Sequence, residues 1–114
     1  MTGILDGKDL KGRDFSGLDL SGRDFSGLDL TGAIFYRTKL TGANLTGANL
    51  TGAKLFKANL TSANLTGANL LKANLSGANL ADAILDENIA FWKVDLSKVV
   101  FMPDGSFGSL YGKL

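Results

Sequence analysis

The side chains that most often carry catalysis are missing here: the 114 residues include no histidine and no cysteine. Zinc sets, thiolate nucleophiles, histidine-based triads and disulfides are thereby excluded. What remains is carboxylate chemistry, from the series Asp9, Asp14, Asp19, Asp24 and Asp29 and from the neighbours Asp86 and Glu87. Stacked carboxylates can hold a hard cation, and Asp9 over Asp29 is the pair to consider. An evenly spaced series is read more simply as a solvated ladder that recurs because a repeat recurs. The same holds for the Asn-Leu-Thr triplets at Asn44, Asn49, Asn59 and Asn64, which match the glycosylation acceptor pattern. The glycines, too, lack the strand, loop and helix context of a phosphate cradle. We expect no enzyme, no cofactor and no metal.

Charge is the second source of chemistry, and the near-neutral total of +1 hides its segregation. Residues 1–31 carry six Asp against four basic residues, and residues 82–114 carry five acids against three Lys. Between them, residues 32–81 carry Arg37, Lys39, Lys54, Lys57 and Lys72 and no acid. This is a sparse basic stripe rather than the dense footprint of a nucleic-acid binder, so nucleic acid is not the expected partner. Read blandly, it is solvated surface; read functionally, it is a basic face for an anionic partner. No stretch approaches the apolar length of a membrane span, and no secretory or transit signal is legible at the N-terminus, so a cytoplasmic location is the default expectation.

Positioning these residues is a repeat of period five. A large apolar residue recurs at Leu5, Leu10, Phe15, Leu20, Phe25, Leu30 and Phe35, and then as Leu at every fifth position from Leu40 to Leu85. Ala stands two positions before each centre from Ala43 to Ala83, Asn or Asp mostly one before, and Thr or Ser and then Gly after. Five fits neither the 3.6 residues of a helical turn nor the alternation of a strand, so each unit must be a short straight followed by a corner. Strand alternation then sends Leu and Ala inward and Asn or Asp outward. Gly suits a turn position with positive φ. Because Arg37, Lys57, Ser62, Lys72, Asp82 and Glu87 occupy the same slot, we expect two turn types.

The run from Ala43 to Leu85, with units such as Ala43-Asn44-Leu45-Thr46-Gly47, resembles the A-(D/N)-L-x-x consensus of the pentapeptide-repeat family. The resemblance implies an all-β fold, a right-handed quadrilateral β-helix with twenty residues per coil and about five coils in all. Phe15 and Phe35 then stack on one inner wall opposite Phe25 as packing, and outward Asn stacks such as Asn44 over Asn64 are expected to form side-chain ladders. A charged residue at Leu65 should unfold the rod. Lys8, Arg13, Leu18, Arg23 and Leu28 fill the slot that later units give to Ala. Burying an unpaired guanidinium is too costly, so Arg13 and Arg23 should turn outward towards neighbouring Asp as an ion-pair collar.

After Leu85 the register slips, with centres at Phe91, Leu96 and Phe101. We therefore divide the chain into a β-helix over 1–102, irregular from 86, and a turn and tail over 103–114. An open β-helix end needs a cap or a partner chain, and Phe91, Trp92, Phe101, Phe107, Leu110 and Tyr111 are the candidates for capping or for a homodimer contact. The preferred function is a non-enzymatic scaffold presenting flat, regular faces to a protein partner of unknown identity. The resemblance offers an alternative, because some family members that confer fluoroquinolone resistance mimic the shape and negative charge of DNA and bind DNA gyrase. The acid-free middle of this chain argues against it. If the C-terminal end is an assembly surface, light scattering after size exclusion should give a dimer for the full chain and a monomer after truncation following Leu85.

Overall fold

The structure is a computed structural model that describes residues 10–85. Its organising feature is a set of parallel bridges between residues twenty apart, for example Asp14 to Ile34, Ile34 to Lys54 and Lys54 to Asn74. Four such columns define four sides. We name them the Asp14 face (Asp14, Ile34, Lys54, Asn74), the Asp19 face (Asp19, Lys39, Asn59, Asn79), the Asp24 face (Asp24, Asn44, Asn64, Ile84) and the Asp29 face (Asp29, Asn49, Asn69). The section is nearly square, with transverse extents of 20 and 19 Å. Because a corner arrives every five residues, each straight contributes one bridging residue, and no continuous strand forms among the described residues. The fifth coil and the boundaries at 86 and 102 lie outside those residues, as do Phe91, Trp92, Phe101, Phe107, Leu110 and Tyr111.

A buried or half-buried backbone N–H needs an acceptor, and one pentapeptide unit shows where all five find theirs. In the unit around Leu45, Leu45 N donates to Asn64 O of the next coil at 2.8 Å and Asn44 N to Arg23 O of the previous coil at 2.9 Å. Gly47 N donates forward to Thr66 O at 2.8 Å, and Ala48 N closes the corner on Leu45 O at 3.0 Å. The fifth group, Thr46 N, has no backbone acceptor in this scheme and donates to the Asn44 side-chain Oδ1 at 3.0 Å. Asn or Asp is therefore a structural part of the corner. The same bond recurs from Asp14, which accepts Ser16 N, to Asn79, which accepts Ala81 N. The expected Asn ladder between coils is corrected accordingly, since Asn44 and Asn64 both direct Oδ1 to their own corners.

Each corner has its centre carbonyl accepting from the N–H three residues on, and positive φ at the third of its four residues. That combination is a type II turn. It is the same at every corner among the described residues, Glu87 lying outside them: glycines from Gly12 to Gly77 take φ of 66–73°, and Arg37, Lys57, Ser62, Lys72 and Asp82 take 55–61°. The expectation of two turn types is thus overturned. A Cβ does not change the turn; it draws φ towards the left-handed minimum, where a non-glycine residue is tolerated at a cost of about 1–2 kcal/mol.

Inside, the centres and, from Ala33 on, the residues two before them form a dry column in which Phe15, Phe25, Phe35 and every centre Leu from Leu30 to Leu80 are essentially inaccessible. Phe15 and Phe35 stack on one wall with centroids 5.1 Å apart and planes at 16°. Phe25 meets both edge-on from the opposite wall at 6.2 Å. Among the described residues the only buried polar one is Thr38, in a slot that every later unit as far as Ala83 gives to Ala, and its hydroxyl donates to Phe15 O at 2.8 Å. Lower in the rod Arg23 is exposed and Arg13 half-buried, while Leu18 remains 41% exposed.

The Asp corners titrate and the Asn corners do not. Asp14, Asp19, Asp24 and Asp29 are held below the ordinary 3.8, first by the hydroxyl of the following Ser or Thr and then by its N–H. Because the folded value lies below the unfolded one, this stabilisation is complete above 3.8 and fades as pH falls through the lowered values. Replacing all four by Asn keeps the acceptor and removes the proton. Urea midpoints measured from neutral pH into strong acid should fall less steeply for that variant than for the parent.

Candidate interaction face

Most units obey the pattern, so the departures from it are informative. Between residues 33 and 58 the outward departures are Ile34, Tyr36, Arg37, Lys39, Lys54, Phe56 and Lys57, and the intervening 43–53 keeps the pattern without exception. Twenty residues per coil bring these departures together. Ile34 lies under Lys54 on the Asp14 face and Lys39 under Asn59 on the Asp19 face. The corner between those faces carries Tyr36-Arg37 in one coil and Phe56-Lys57 in the next. The uninterrupted 43–53 stretch builds the other two sides.

At that corner the Tyr36 and Phe56 rings meet edge-to-face at 6.5 Å, and the Arg37 guanidinium lies over the Tyr36 ring at 5.4 Å. Tyr36 is nonetheless 40% exposed. One coil further on, a Cβ at Gly77 would come within 3.1 Å of Lys57 Cγ, so the bare glycine accommodates the Lys57 stem against the backbone. Arg37, Lys39, Lys54 and Lys57 are all exposed around this apolar centre. Lys39 helps hold the Asp19 carboxyl low, after Ser21, which ranks first among the causes. Lys72 stands apart, at the far edge of the Asp14 face, where it follows Gly12, Gly32 and Gly52 in its column.

Ile34, Tyr36, Phe56 and the buried Thr38 are not picked out when the sequence is read as a line. The signal is there: Tyr36 and Phe56 replace Thr or Ser at a separation of twenty, one coil. Of the pair considered for a cation, Asp9 lies outside the described residues, and the Asp29 carboxylate accepts from Thr31 and pairs with Lys11 Nζ at 3.5 Å. Among the described residues no three His, Cys, Asp or Glu side chains gather into a metal set.

The face is maintained against the stability of the repeat. Ile34, Lys39 and Lys54 offer no acceptor where Asn or Asp would take the corner N–H, so Tyr36, Thr41 and Phe56 lack that bond. Arg37 and Lys57 occupy left-handed corners at φ of 55° and 56° where glycine is unstrained, as Ser62, Lys72 and Asp82 do elsewhere on the rod.

A four-sided stack of five-residue units, with bridges between residues twenty apart, defines a class of repeat solenoid. The family model for pentapeptide repeats matches residues 14–52 and 53–87, and the chain belongs to that family, whose neighbours imply the right-handed quadrilateral β-helix. A pentapeptide repeat protein of the Arabidopsis thaliana thylakoid lumen is 40% identical with a TM-score of 0.72, over 84% of this chain and 70% of that one. Rfr23 of the cyanobacterium Cyanothece 51142 is 38% identical (TM-score 0.61), over 67% of this chain and 58% of its own. HetL of Nostoc sp. strain PCC 7120, involved in heterocyst differentiation regulation, is 34% identical (TM-score 0.62), over 85% and 50%. No curated protein matches.

Restoring the pattern at the face should stabilise the rod. Lys54→Asn supplies the acceptor for Phe56 N, a gain of about 0.5–1.5 kcal/mol. Lys57→Gly relieves a strained corner by about 1 kcal/mol, less the added freedom glycine gives the unfolded chain. Urea denaturation should show a higher midpoint for the pair with an unchanged slope.

Proposed function

We propose that this chain is a non-enzymatic interaction scaffold that engages a protein partner through the Asp14 and Asp19 faces and the corner between them. The observation that carries this reading is the confinement of outward departures in residues 33–58 to one side, at positions where the pattern residue is the more stable choice. Strained or under-bonded positions that persist in an otherwise regular framework cluster at functional surfaces. The reading also fits what the sides can offer: the Asp24 and Asp29 faces present mainly Asn and Asp already engaged at their own corners.

The gyrase alternative calls for an acidic, DNA-like surface, whereas this face is cationic. Within this proposal the protein acts in the cytoplasm, with no cofactor; cell fractionation tests the location, which the lumenal origin of one relative makes worth measuring. The fifth coil and a homodimer through the C-terminal end stay part of the proposal, to be tested by the truncation described above.

The decisive comparison uses a variant that should be at least as stable as the parent, Lys54→Asn/Phe56→Thr/Lys57→Gly. Affinity capture from the source organism should lose a specific partner with this variant and retain it with Asn49→Asp/Asn69→Asp, which alters charge on the opposite side while keeping the corner acceptors. Equal recovery with both variants would remove the face from consideration.

A further inference from the structure

We infer that the partner surface recognised here is an acidic protein segment carrying an apolar anchor residue, and not a nucleic acid. The inference rests on the face proposed above and adds the chemistry of what it binds. Three observations point to it. First, the centre is apolar: Ile34, Tyr36 and Phe56 adjoin across two coils, with Tyr36 40% exposed and its ring in edge contact with Phe56 at 6.5 Å. Second, the rim is mainly cationic: Arg37, Lys39, Lys54 and Lys57 are exposed, against the two acids Asp14 and Asp19 one coil below Ile34 and Lys39 on the same faces. An aromatic centre with arginine and a charged rim is the composition of protein interfaces. Charge complementarity then selects an acidic segment, which gains in rate and register from the rim and in affinity from an apolar side chain against the rings.

The third observation separates protein from nucleic acid. Sequence-tolerant binding of single strands needs aromatic faces on which bases can stack. At this corner the Arg37 guanidinium lies over the Tyr36 ring, 5.4 Å from its centroid, and the Phe56 ring meets Tyr36 in a T-shaped contact, so the ring with most exposure already has two neighbours with which a stacked base would compete. The same guanidinium, held by the ring below it, keeps its N–H groups available for the bidentate geometry that carboxylates accept. Placement along the rod favours an extended segment: Lys54 lies directly above Ile34, and Lys57 one coil above Arg37, so charge and apolar surface repeat at the coil spacing, about 4.8 Å.

Fluorescence anisotropy can test this with three labelled probes: an Asp/Glu-rich dodecapeptide with one central Phe, the same peptide with Ser for Phe, and a single-stranded oligothymidylate of matching charge. The Phe peptide should bind several-fold tighter than the Ser peptide and tighter than the oligothymidylate. Its affinity should fall about tenfold with Lys54→Asn/Phe56→Thr/Lys57→Gly and stay unchanged with Asn49→Asp/Asn69→Asp. Thermal denaturation of both variants confirms that they are folded. Tighter oligothymidylate binding that the triple substitution abolishes would overturn the acidic-segment proposal while leaving the face as a binding surface. Equal affinity for the two peptides would likewise overturn the apolar anchor. If no probe distinguishes the triple variant from the parent, both the proposal and the reading beneath it fall.

Discussion

The constraint on which this rod depends is that a chain turning a corner every five residues must still find a partner for every backbone N–H. Three of the five groups in a unit reach a neighbouring coil and a fourth closes the turn on its own centre carbonyl, as the unit around Leu45 shows. The fifth cannot reach a backbone acceptor in that arrangement. Its bond comes from the Asn or Asp side chain two residues back, so a residue that looks like surface decoration completes the backbone network. Each such bond is worth only about 1 kcal/mol net, but the unit is repeated around and along the rod. The apolar interior adds burial to a backbone whose hydrogen bonds are already arranged; neither alone would order so short a straight.

Part of this was legible from the period of five: the inward rows of Leu and Ala follow from it and strand alternation. The opposed walls and the Phe15, Phe25 and Phe35 cluster needed in addition the coil of twenty that the family resemblance implies. What escaped the sequence is conformational. Glycine at most corners suggests that positive φ belongs to glycine alone, yet Arg37, Lys57, Ser62, Lys72 and Asp82 adopt it too, because the bonds on either side of the corner fix the turn whatever side chain stands there. Likewise an outward Asn gives no hint whether its oxygen will reach the next coil or its own; only the short distance to the N–H two residues on settles that. The ion-pair collar is seen in part: the low carboxyls of Asp14 and Asp24 owe their state to Ser16 and Ser26, while at Asp19 Ser21 acts first and Lys39 and Arg23 add to it.

The candidate face was half legible. Its charges stand out in a count along the chain, but its shape does not, since Lys54 and Ile34 are twenty residues apart and adjacent only after winding. Tyr36 and Phe56 occupy a slot that nothing marks as outward until the Asn two positions earlier is known to serve that slot's N–H. Where Ile34 and Lys54 replace it, that bond is absent and the slot carries a ring. The bond does not itself forbid a bulky side chain, since Leu71 fills the slot while its N–H donates to Asn69 Oδ1.

Because every unit turns the chain through the same corner, the rod translates length into angle. An insertion or deletion of five residues would keep every centre pointing inward, yet rotate all that follows by a quarter of the circumference. Placed between Lys39 and Lys54, such a change would carry Lys54, Phe56 and Lys57 round to a neighbouring side and leave Tyr36 and Arg37 without them. Only a step of twenty residues restores the alignment. Gene-level drift in repeat number is thus filtered by geometry: steps of five preserve folding, and among them only whole coils preserve a surface shared by two coils.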